Sequence, residues 1–547
     1  MNKKKIQNII LTLAVAILFE AGLAIHGQAA QLPKDILLFA STDSITTWDP
    51  SAAYSTESSY MPNIYETLIW VSAPGSEKPF KPGLAEDWRV EENGLRWTFY
   101  LRKGVKFHDG GVLNAQVVKD SIERTMKMKK GAAFIFDPVK EIKILNDYTV
   151  QFILKKAAPF DRIIASANAA WIISPKAVKK ERKWFDAGHE AGCGPYVLES
   201  WKPDEEIIFK KFDGYWRGWE GPHFKRIVVK IIKEGTVAEQ MLESGVADLA
   251  TRIPTESVRT FDAKKCCKLL KGPSFMNYAI HMNTTKPPFN NKLIRKAASY
   301  AMPYKDMIEV SMGGLGKQSV GPIPCGQFGH DDSLYQYRYD LDKAKQLMAK
   351  AGYPNGLKEN VIFTYASENV TEKAFAPLVK EALAKIGINV EIQPMIWTAQ
   401  WELVKGDPEK AQDMAALLWW PTFSDPYETL YSLWHVEEKP YWNFSYYKNP
   451  EFDRTILEAY STPDAKKAKA LYAKASKILI KDAPSIFLFD VERAVFKRAE
   501  LKGYVINPNY PRVPGKNGGD DAFNSNSSLN FNKSNRKWPI SHFLLDY

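Results

Sequence analysis

The residues of this chain that come nearest to a metal-dependent active site are His189 and Glu190. In the H-E-x-x-H helix of zinc proteases, two histidines bind the metal and the glutamate acts as general base. The second histidine is absent here, and no other pair of histidines stands at the spacing that zinc ligands need. The sequence therefore predicts no zinc site, and it offers no motif for another cofactor.

The cysteines do not form a metal motif either. They are Cys193, Cys266, Cys267 and Cys325. No C-x-x-C occurs among them, and the adjacent pair cannot easily bridge to each other. In an oxidising compartment disulfides could form, but the spacing does not identify the partners.

Nucleophilic and phosphate chemistry also lack their usual motifs. No G-x-S-x-G nucleophile elbow occurs, and the segment 313–318 (GGLGKQ) has neither the spacing nor the Ser/Thr after lysine of a P-loop. We interpret that segment as a glycine-rich loop. A carboxylate pair for glycoside cleavage stays open, because the meeting of two acids depends on the fold. An enzyme is thus disfavoured, and a secreted hydrolase is kept as the less favoured alternative.

The N-terminus has the order of a secretory signal peptide. Three lysines at 3–5 precede a mostly apolar run at 9–25 and small residues at 27–30. A membrane anchor is disfavoured, since an acid interrupts the run and a span needs roughly 20 clean residues. We expect cleavage after residue 30.

Composition predicts a soluble exported protein. Hydrophobic residues make up 45% of the chain, without a second long apolar segment. No cysteine precedes Cys193, which excludes a lipid-modified N-terminus, so we expect the periplasm of a Gram-negative cell. The net charge is +11, yet acids interrupt every basic run, which disfavours nucleic-acid binding. The Asn- and Ser-rich stretch Asn517–Asn535 is expected to be a loop or disordered tail.

The spacing of apolar residues indicates an α/β lobe. Val361–Tyr365 and Ile388–Ile392 alternate like strands, and Thr371–Ile386 between them has helical spacing, which predicts a βαβ unit with parallel strands. A second helix is predicted over 340–352, with Asp340 as N-cap. Further strands are predicted at Tyr148–Leu154 and Arg226–Lys233.

Several motifs spread along the chain resemble those of one protein family. They are Pro82–Trp88 (PGLAEDW), Leu101–Gly110 (LRKGVKFHDG), Gly192–Tyr196 (GCGPY) and Ala351–Gly356 (AGYPNG). In this order they are similar to the family 5 extracellular solute-binding proteins, the oligopeptide, dipeptide and nickel receptors of ABC importers. Within these motifs we expect His108 to be a hydrogen-bonded turn residue and Cys193 a buried structural thiol.

The resemblance implies an α/β, two-lobed periplasmic-binding-protein fold with an extra inserted domain, of the cluster C type. After a signal peptide at 1–30, lobe I is assigned to 31–64, 190–283 and 502–547. The inserted domain is assigned to 65–189 and lobe II to 284–501. Such receptors close on their ligand by a hinge motion.

The resemblance also implies the function. We expect a monomeric substrate-binding protein that captures a short peptide or peptide-like solute in the periplasm. It would deliver this ligand to an inner-membrane ABC permease with ATPase subunits, without a cofactor. The alternative ligand is a non-peptide solute, such as an opine, a sugar or a metal chelate.

Peptide-binding members of this family carry the pattern W-x-x-D-x-x-[DE]-P beside the ligand. The matching segment here is 419–426 (WWPTFSDP), in which Thr422 replaces the aspartate that pairs with a peptide's α-ammonium group. Without that anion, we expect weak binding of ordinary unblocked peptides and better binding of a solute that lacks a free α-ammonium. The candidate ligand-binding residues are Trp419, Trp420, Thr422, Asp425 and Tyr54.

The candidates differ in the role expected for each. Carry-over from the family favours Trp419 rather than Trp420 as the tryptophan facing the cleft, where a flat apolar ring would contact the ligand. Asp425 has two open interpretations, a contact with the ligand or a bond to the backbone of its own turn. Tyr54 is a candidate because the segment after Asp49-Pro50 lines the cleft in the family.

Overall fold

The computed structural model describes residues 35–219 and 223–510. The strands are β1 (Ile36–Ser41), β2 (Ile69–Val71), β3 (Phe80–Pro82), β4 (Ala85–Glu91), β5 (Arg96–Leu101), β6 (Val139–Asn146), β7 (Thr149–Leu154), β8 (Tyr196–Lys202), β9 (Glu206–Lys211), β10 (Arg226–Ile231), β11 (Leu249–Ala250), β12 (Cys267–Met282), β13 (Gly316–Gln318), β14 (Val361–Ala366), β15 (Val390–Met395), β16 (Met414–Trp419) and β17 (Ser485–Arg498). The predicted signal peptide and the stretch Asn517–Asn535 lie outside the described residues.

The helices alternate with these strands over most of the chain. They are α1 (Met61–Ile64), α2 (Ala115–Met128), α3 (Phe160–Ile164), α4 (Arg182–Asp186), α5 (Gly235–Glu243), α6 (Thr255–Val258), α7 (Lys292–Ala301), α8 (Tyr304–Met312), α9 (Leu341–Lys350), α10 (Val370–Ala384), α11 (Trp397–Val404), α12 (Pro426–Trp434), α13 (Pro450–Tyr460) and α14 (Ala465–Asp482). Within the described residues, every helix is too short or too polar to span a bilayer.

Two long strands link the lobes of the molecule. The largest sheet has the order β15-β14-β16-β12-β17-β11-β1-β10-β9-β8, and β12 pairs with β17 antiparallel. The pairing has a register shift between Pro273 and Asn277. On one side of the shift, Phe489 belongs to the core around β14 and β16, and on the other side Val495 belongs to the core around β1 and β10. The lobes are therefore joined through continuous backbone, as a hinged receptor needs.

The predicted βαβ unit is confirmed. Strands β14 and β15 pair in parallel, from Val361 opposite Val390 to Ala366 opposite Met395, and α10 lies between them in the chain. The side chain of Asn369 caps the N-terminus of this helix, and Pro377 lies in its interior. The second predicted helix is α9, and its N-cap Asp340 accepts a hydrogen bond from the Lys343 amide at 2.8 Å.

A separate four-stranded sheet, in the order β4-β5-β7-β6, lies within the segment assigned to the inserted domain. The predicted strands at Tyr148–Leu154 and Arg226–Lys233 are confirmed as β7 and β10. Phe99, Phe152 and Phe160 form the centre of the core beside this sheet, and all three are fully buried. The segment also contains the two-stranded sheet β2-β3, and the core around the three phenylalanines takes in Cys193, Phe423 and Tyr460 from other parts of the chain.

The structural roles expected for His108 and Cys193 are confirmed. The His108 ring contacts Glu190 Oε1 at 2.7 Å through Nδ1 and the Gly194 carbonyl oxygen at 2.9 Å through Nε2. These contacts fasten the Leu101–Gly110 motif to the Gly192–Tyr196 motif. The thiol of Cys193 is fully buried, which raises its pKa well above the usual value, and all four cysteines are free.

The His108–Glu190 pair should make stability depend on pH. Burial by itself lowers the pKa of His108, but Glu190 and the Gly194 carbonyl outweigh it, so the net shift is upward. A raised histidine pKa stabilises the fold fully below the unfolded value of about 6.5, and this contribution disappears as the pH rises through the native pKa.

Glu190→Gln removes the charge and keeps one of the two acceptor oxygens, since Glu190 also accepts from the Gly192 amide through Oε2 at 2.7 Å. We expect the variant to lose about 1 to 2 kcal/mol of unfolding free energy at pH 6 and less at pH 9, measured by urea denaturation. His189→Gln is the control, since His189 is exposed. An equal loss for Glu190→Gln at both pH values would contradict a charged pair.

Candidate ligand-binding site

A cavity of about 490 Å³ lies where separate parts of the chain converge. Residues 42–59 and 162–168 contribute to its wall, and residues 420–424 and 491–495 supply further lining. Pockets for small molecules usually measure about 300 to 1,000 Å³. The cavity therefore suits a solute of the size of a short peptide.

Three of the five candidate residues line this cavity. They are Tyr54, Trp420 and Thr422. Tyr54 and Trp420 are 40% and 47% exposed, whereas Thr422 is buried. The structure thus brings together the two chain segments that the sequence singled out, although they are far apart in sequence.

The two adjacent tryptophans differ in their position relative to the cavity. Trp420 lines the cavity, whereas Trp419, the last residue of β16, packs edge-on against Trp442 with ring centroids 5.4 Å apart. Trp420 lies one residue past the end of β16, so the two adjacent tryptophans have different surroundings. Trp420 is therefore the tryptophan of this pair that lines the cavity, and which of the two contacts a ligand stays a prediction.

Asp425 lies behind the cavity wall. It is the N-cap of α12 and accepts a hydrogen bond from the Tyr427 amide at 2.9 Å and another from the Tyr472 hydroxyl at 2.5 Å. Burial raises the pKa of Asp425, while Arg162, whose Nε lies 3.6 Å from the carboxylate, opposes this shift. These contacts match the turn-bonding interpretation of Asp425, and a ligand contact stays untested.

Thr422 forms hydrogen bonds with four other residues. Its carbonyl oxygen accepts bonds from Ser166 Oγ at 3.0 Å and from Asn168 Nδ2 at 2.8 Å. Its hydroxyl lies 3.2 Å from the Tyr54 hydroxyl and 3.3 Å from Glu428 Oε1. Thr422 therefore ties together residues 54, 166–168 and 428 around one end of the cavity.

Glu428 was not foreseen from the sequence. It lies in the first turn of α12, is 7% exposed and leaves Oε2 without a hydrogen-bond partner. Burial raises the pKa of Glu428 to about 7, although Thr422 and the neighbouring Trp419 indole oppose the rise. In the sequence its place in a first helical turn is typical of a solvated acid near a helix N-terminus, and only the burial distinguishes it.

Arg493 is the second residue that the sequence analysis missed. The charged residues that line the cavity are Asp43, Arg162, Glu492 and Arg493. Asp43 accepts a hydrogen bond from Ser59 Oγ at 2.9 Å, and Glu492 is 3.9 Å from Lys317 Nζ. Arg162 contacts Asp425 and stacks over Phe328, with the guanidinium carbon 4.0 Å from the ring centroid.

The guanidinium of Arg493, in contrast, has no ion-pair partner among the residues the structure describes, and its buried Nε makes no hydrogen bond. A cation without a partner at a cavity wall is suited to binding an anionic group of a ligand, above all a carboxylate. The polar run DVER at 490–493, inside the otherwise apolar β17, was the signal in the sequence.

A serine–histidine pair elsewhere does not form an active site. Ser485 Oγ lies 3.0 Å from His281 Nδ1 and accepts a hydrogen bond from Trp434 Nε1 at 2.9 Å. Burial lowers the pKa of His281 to about 3, and its Nε2 has no hydrogen-bond partner. Both residues are buried and neither lines the cavity, so we interpret the pair as part of the core. Within residues 35–219 and 223–510, acids, histidines and cysteines form no group suited to a metal ion.

Comparison with known proteins identifies relatives over most of the chain. Residues 79–441 match the model of the bacterial extracellular solute-binding proteins, family 5 Middle. The probable D,D-dipeptide-binding periplasmic protein DdpA of Escherichia coli strain K12 is 30% identical over 495 residues, which cover 88% of this chain and 94% of that protein. The glutathione-binding protein GsiB of Salmonella typhimurium is 29% identical over 504 residues, with coverages of 89% and 96%.

The fold has matching solved structures as well. The periplasmic binding protein DppA of Helicobacter pylori, in complex with the peptide STSA, superimposes with a TM-score of 0.71 at 29% identity. The match covers 87% of this chain and 97% of that protein. The two-lobed architecture with its inserted domain is therefore that of the periplasmic binding proteins.

Proposed function

Because the chain belongs to the family 5 bacterial extracellular solute-binding proteins, we propose that it captures a short peptide or peptide-like solute in the periplasm. The loaded protein would deliver this solute to an inner-membrane ABC permease driven by ATPase subunits. In this proposal the chain is exported by a cleaved signal peptide, acts as a monomer and performs no chemistry on its ligand.

The observation that carries the ligand class is the unpaired guanidinium of Arg493 at the cavity wall. A peptide or an amino-acid derivative has a carboxylate that would neutralise this cation through paired N–H donors. Trp420 supplies an exposed ring in the same cavity for an apolar part of the ligand. The names of the relatives above, which bind D,D-dipeptides, glutathione and a tetrapeptide, agree with a carboxylate-bearing ligand.

The cavity offers fewer suitable partners for the α-ammonium end of a peptide than for its carboxylate end. Thr422 presents a hydroxyl where the family pattern has an aspartate, and Glu428 behind it does not line the cavity. A bound α-ammonium would therefore lack a direct ion pair, at a cost of the order of several kcal/mol. We propose that the preferred ligand is peptide-like with a blocked or absent α-ammonium.

Calorimetry on three forms of one probe tests both ends. The probe is D-alanyl-D-alanine, used free, as the N-acetyl derivative and as the C-terminal amide, with the glutathione series as a second probe. We expect the N-acetyl form to bind more tightly than the free dipeptide, and the amide to bind at least tenfold more weakly than the acid. Tight binding of free dipeptides, or an amide that binds as well as the acid, would contradict the proposal.

A further inference from the structure

A chain of three oxygens connects a buried carboxyl group with the cavity. Glu428 Oε1 lies 3.3 Å from Thr422 Oγ1, which lies 3.2 Å from the Tyr54 hydroxyl. Glu428 and Thr422 are buried, and Thr422 lines the cavity together with Tyr54, which is 40% exposed. The carboxyl group is thus linked through Thr422 to the exposed Tyr54 side chain.

Ionisation of the carboxyl group fixes the direction of both hydrogen bonds, since each hydroxyl has one proton to donate, and a proton on Oε1 allows both bonds to reverse. When Glu428 is ionised, it accepts from Thr422, and Thr422 then accepts from Tyr54. The oxygen of Tyr54 is left with free lone pairs that face the cavity. When Glu428 is protonated on Oε1, it can donate to Thr422, both bonds reverse, and Tyr54 is free to donate.

We propose that Glu428, acting through Thr422, sets the hydrogen-bonding polarity of the Tyr54 hydroxyl and in its ionised state makes this part of the cleft an acceptor. Glu428 is then a positioning residue that selects for a ligand with an uncharged N–H or O–H donor, such as an amide. The consequence for the ligand rests on the function proposed above, whereas the polarity of Tyr54 is a property of the protein alone.

The main electrostatic connection between Glu428 and the cavity runs through the hydroxyls of Thr422 and Tyr54. Burial raises the pKa of Glu428 to about 7, and the opposing contacts come from Thr422 and from the Trp419 indole, which is not titratable. No lysine, arginine or histidine of the described residues forms an ion pair with it. On the facing side are the Tyr54 hydroxyl and, beyond it, Tyr441, and burial raises the pKa of Tyr54 well clear of neutral pH. Within α12 the nearest acid is the N-cap Asp425.

NMR of the ligand-free protein labelled with [13Cζ]tyrosine tests this relay. The Tyr54 resonance is assigned as the one missing from Tyr54→Phe and is followed from pH 5 to pH 9. We expect a single titration step in the wild type, because the Cζ shift differs between a donating and an accepting hydroxyl. The step should be lost in Glu428→Gln, which removes the titration, and in Thr422→Val, which breaks the relay while keeping the shape.

Glu372→Gln is the matched control. Glu372 is also a buried glutamate whose pKa burial raises to about 7, but it bonds to Ala366 and Asn369 away from the cavity. This variant should keep the Tyr54 titration step. A step that persists in Thr422→Val would show a through-space effect and overturn the relay, as would a wild type without any step. Because no ligand is present, these outcomes are independent of whether the calorimetric series supports the proposed ligand class.

Discussion

Arg493→Gln should bind a carboxylate-bearing ligand roughly 30- to 1,000-fold more weakly than the wild type, which corresponds to about 2 to 4 kcal/mol. The guanidinium has no other ion-pair partner among the described residues, so its loss leaves the ligand's carboxylate without a counter-charge in a partly enclosed cavity. Arg493→Lys keeps the charge but not the paired donors, so its affinity for the ligand should lie between those of the wild type and Arg493→Gln. The measurement is calorimetry with the acid and amide forms of the same probe.

The amide form is the internal control for this prediction. Arg493→Gln should bind the amide about as well as the wild type does, because the interaction that the variant lacks is already absent from that ligand. Arg89→Gln serves as a second control, since Arg89 is an exposed arginine on β4 and does not line the cavity. If Arg493→Gln weakened acid and amide equally, the residue would support the shape of the site rather than bind a carboxylate.

Alanine variants of the two adjacent tryptophans should differ, one in ligand affinity and the other in unfolding free energy. Trp420→Ala should weaken binding by about 1 to 3 kcal/mol and leave the unfolding free energy nearly unchanged, because its ring is 47% exposed and lines the cavity. Trp419→Ala should lower the unfolding free energy by about 2 to 3 kcal/mol, because its partly buried ring packs against Trp442 and the adjoining hydrophobic core. Calorimetry and urea denaturation on both variants provide the comparison.

The reverse pattern would place the ligand on the other face of β16. In that case Trp419→Ala would lose affinity at unchanged stability, and Trp420→Ala would bind normally. Trp397→Ala is a useful reference, since Trp397 stacks on Trp442 but does not line the cavity. It should affect stability in the same direction as Trp419→Ala.

Features that depend on neighbouring residues could be predicted from the sequence. The βαβ unit was found because strand alternation and helical spacing are local patterns, and its strands lie within a few residues of the expected positions. The roles of His108 and Cys193 followed from the family motifs around them. These predictions needed no knowledge of which distant segments meet.

The details of the cleft depend on which distant segments of the chain contact each other, and they could not be predicted from the sequence. Tyr54 and Thr422 touch although they are 368 positions apart, and Glu428 differs from a solvated acid only because the cleft wall covers it. Which of the adjacent tryptophans lines the cavity could not be predicted, because it depends on how the end of β16 and the residue after it are placed against the other segments of the wall. Arg493 was overlooked because its availability depends on where every other charged group of the cavity is bound.

The most direct test of the central claim is native mass spectrometry of the protein purified without refolding from the periplasm of its own bacterium. We predict one small molecule per chain, which is released chemically unchanged on denaturation, carries a carboxylate and is absent from Arg493→Gln purified in parallel. A released compound without a carboxylate, or one that the protein converts to a product, would contradict the account.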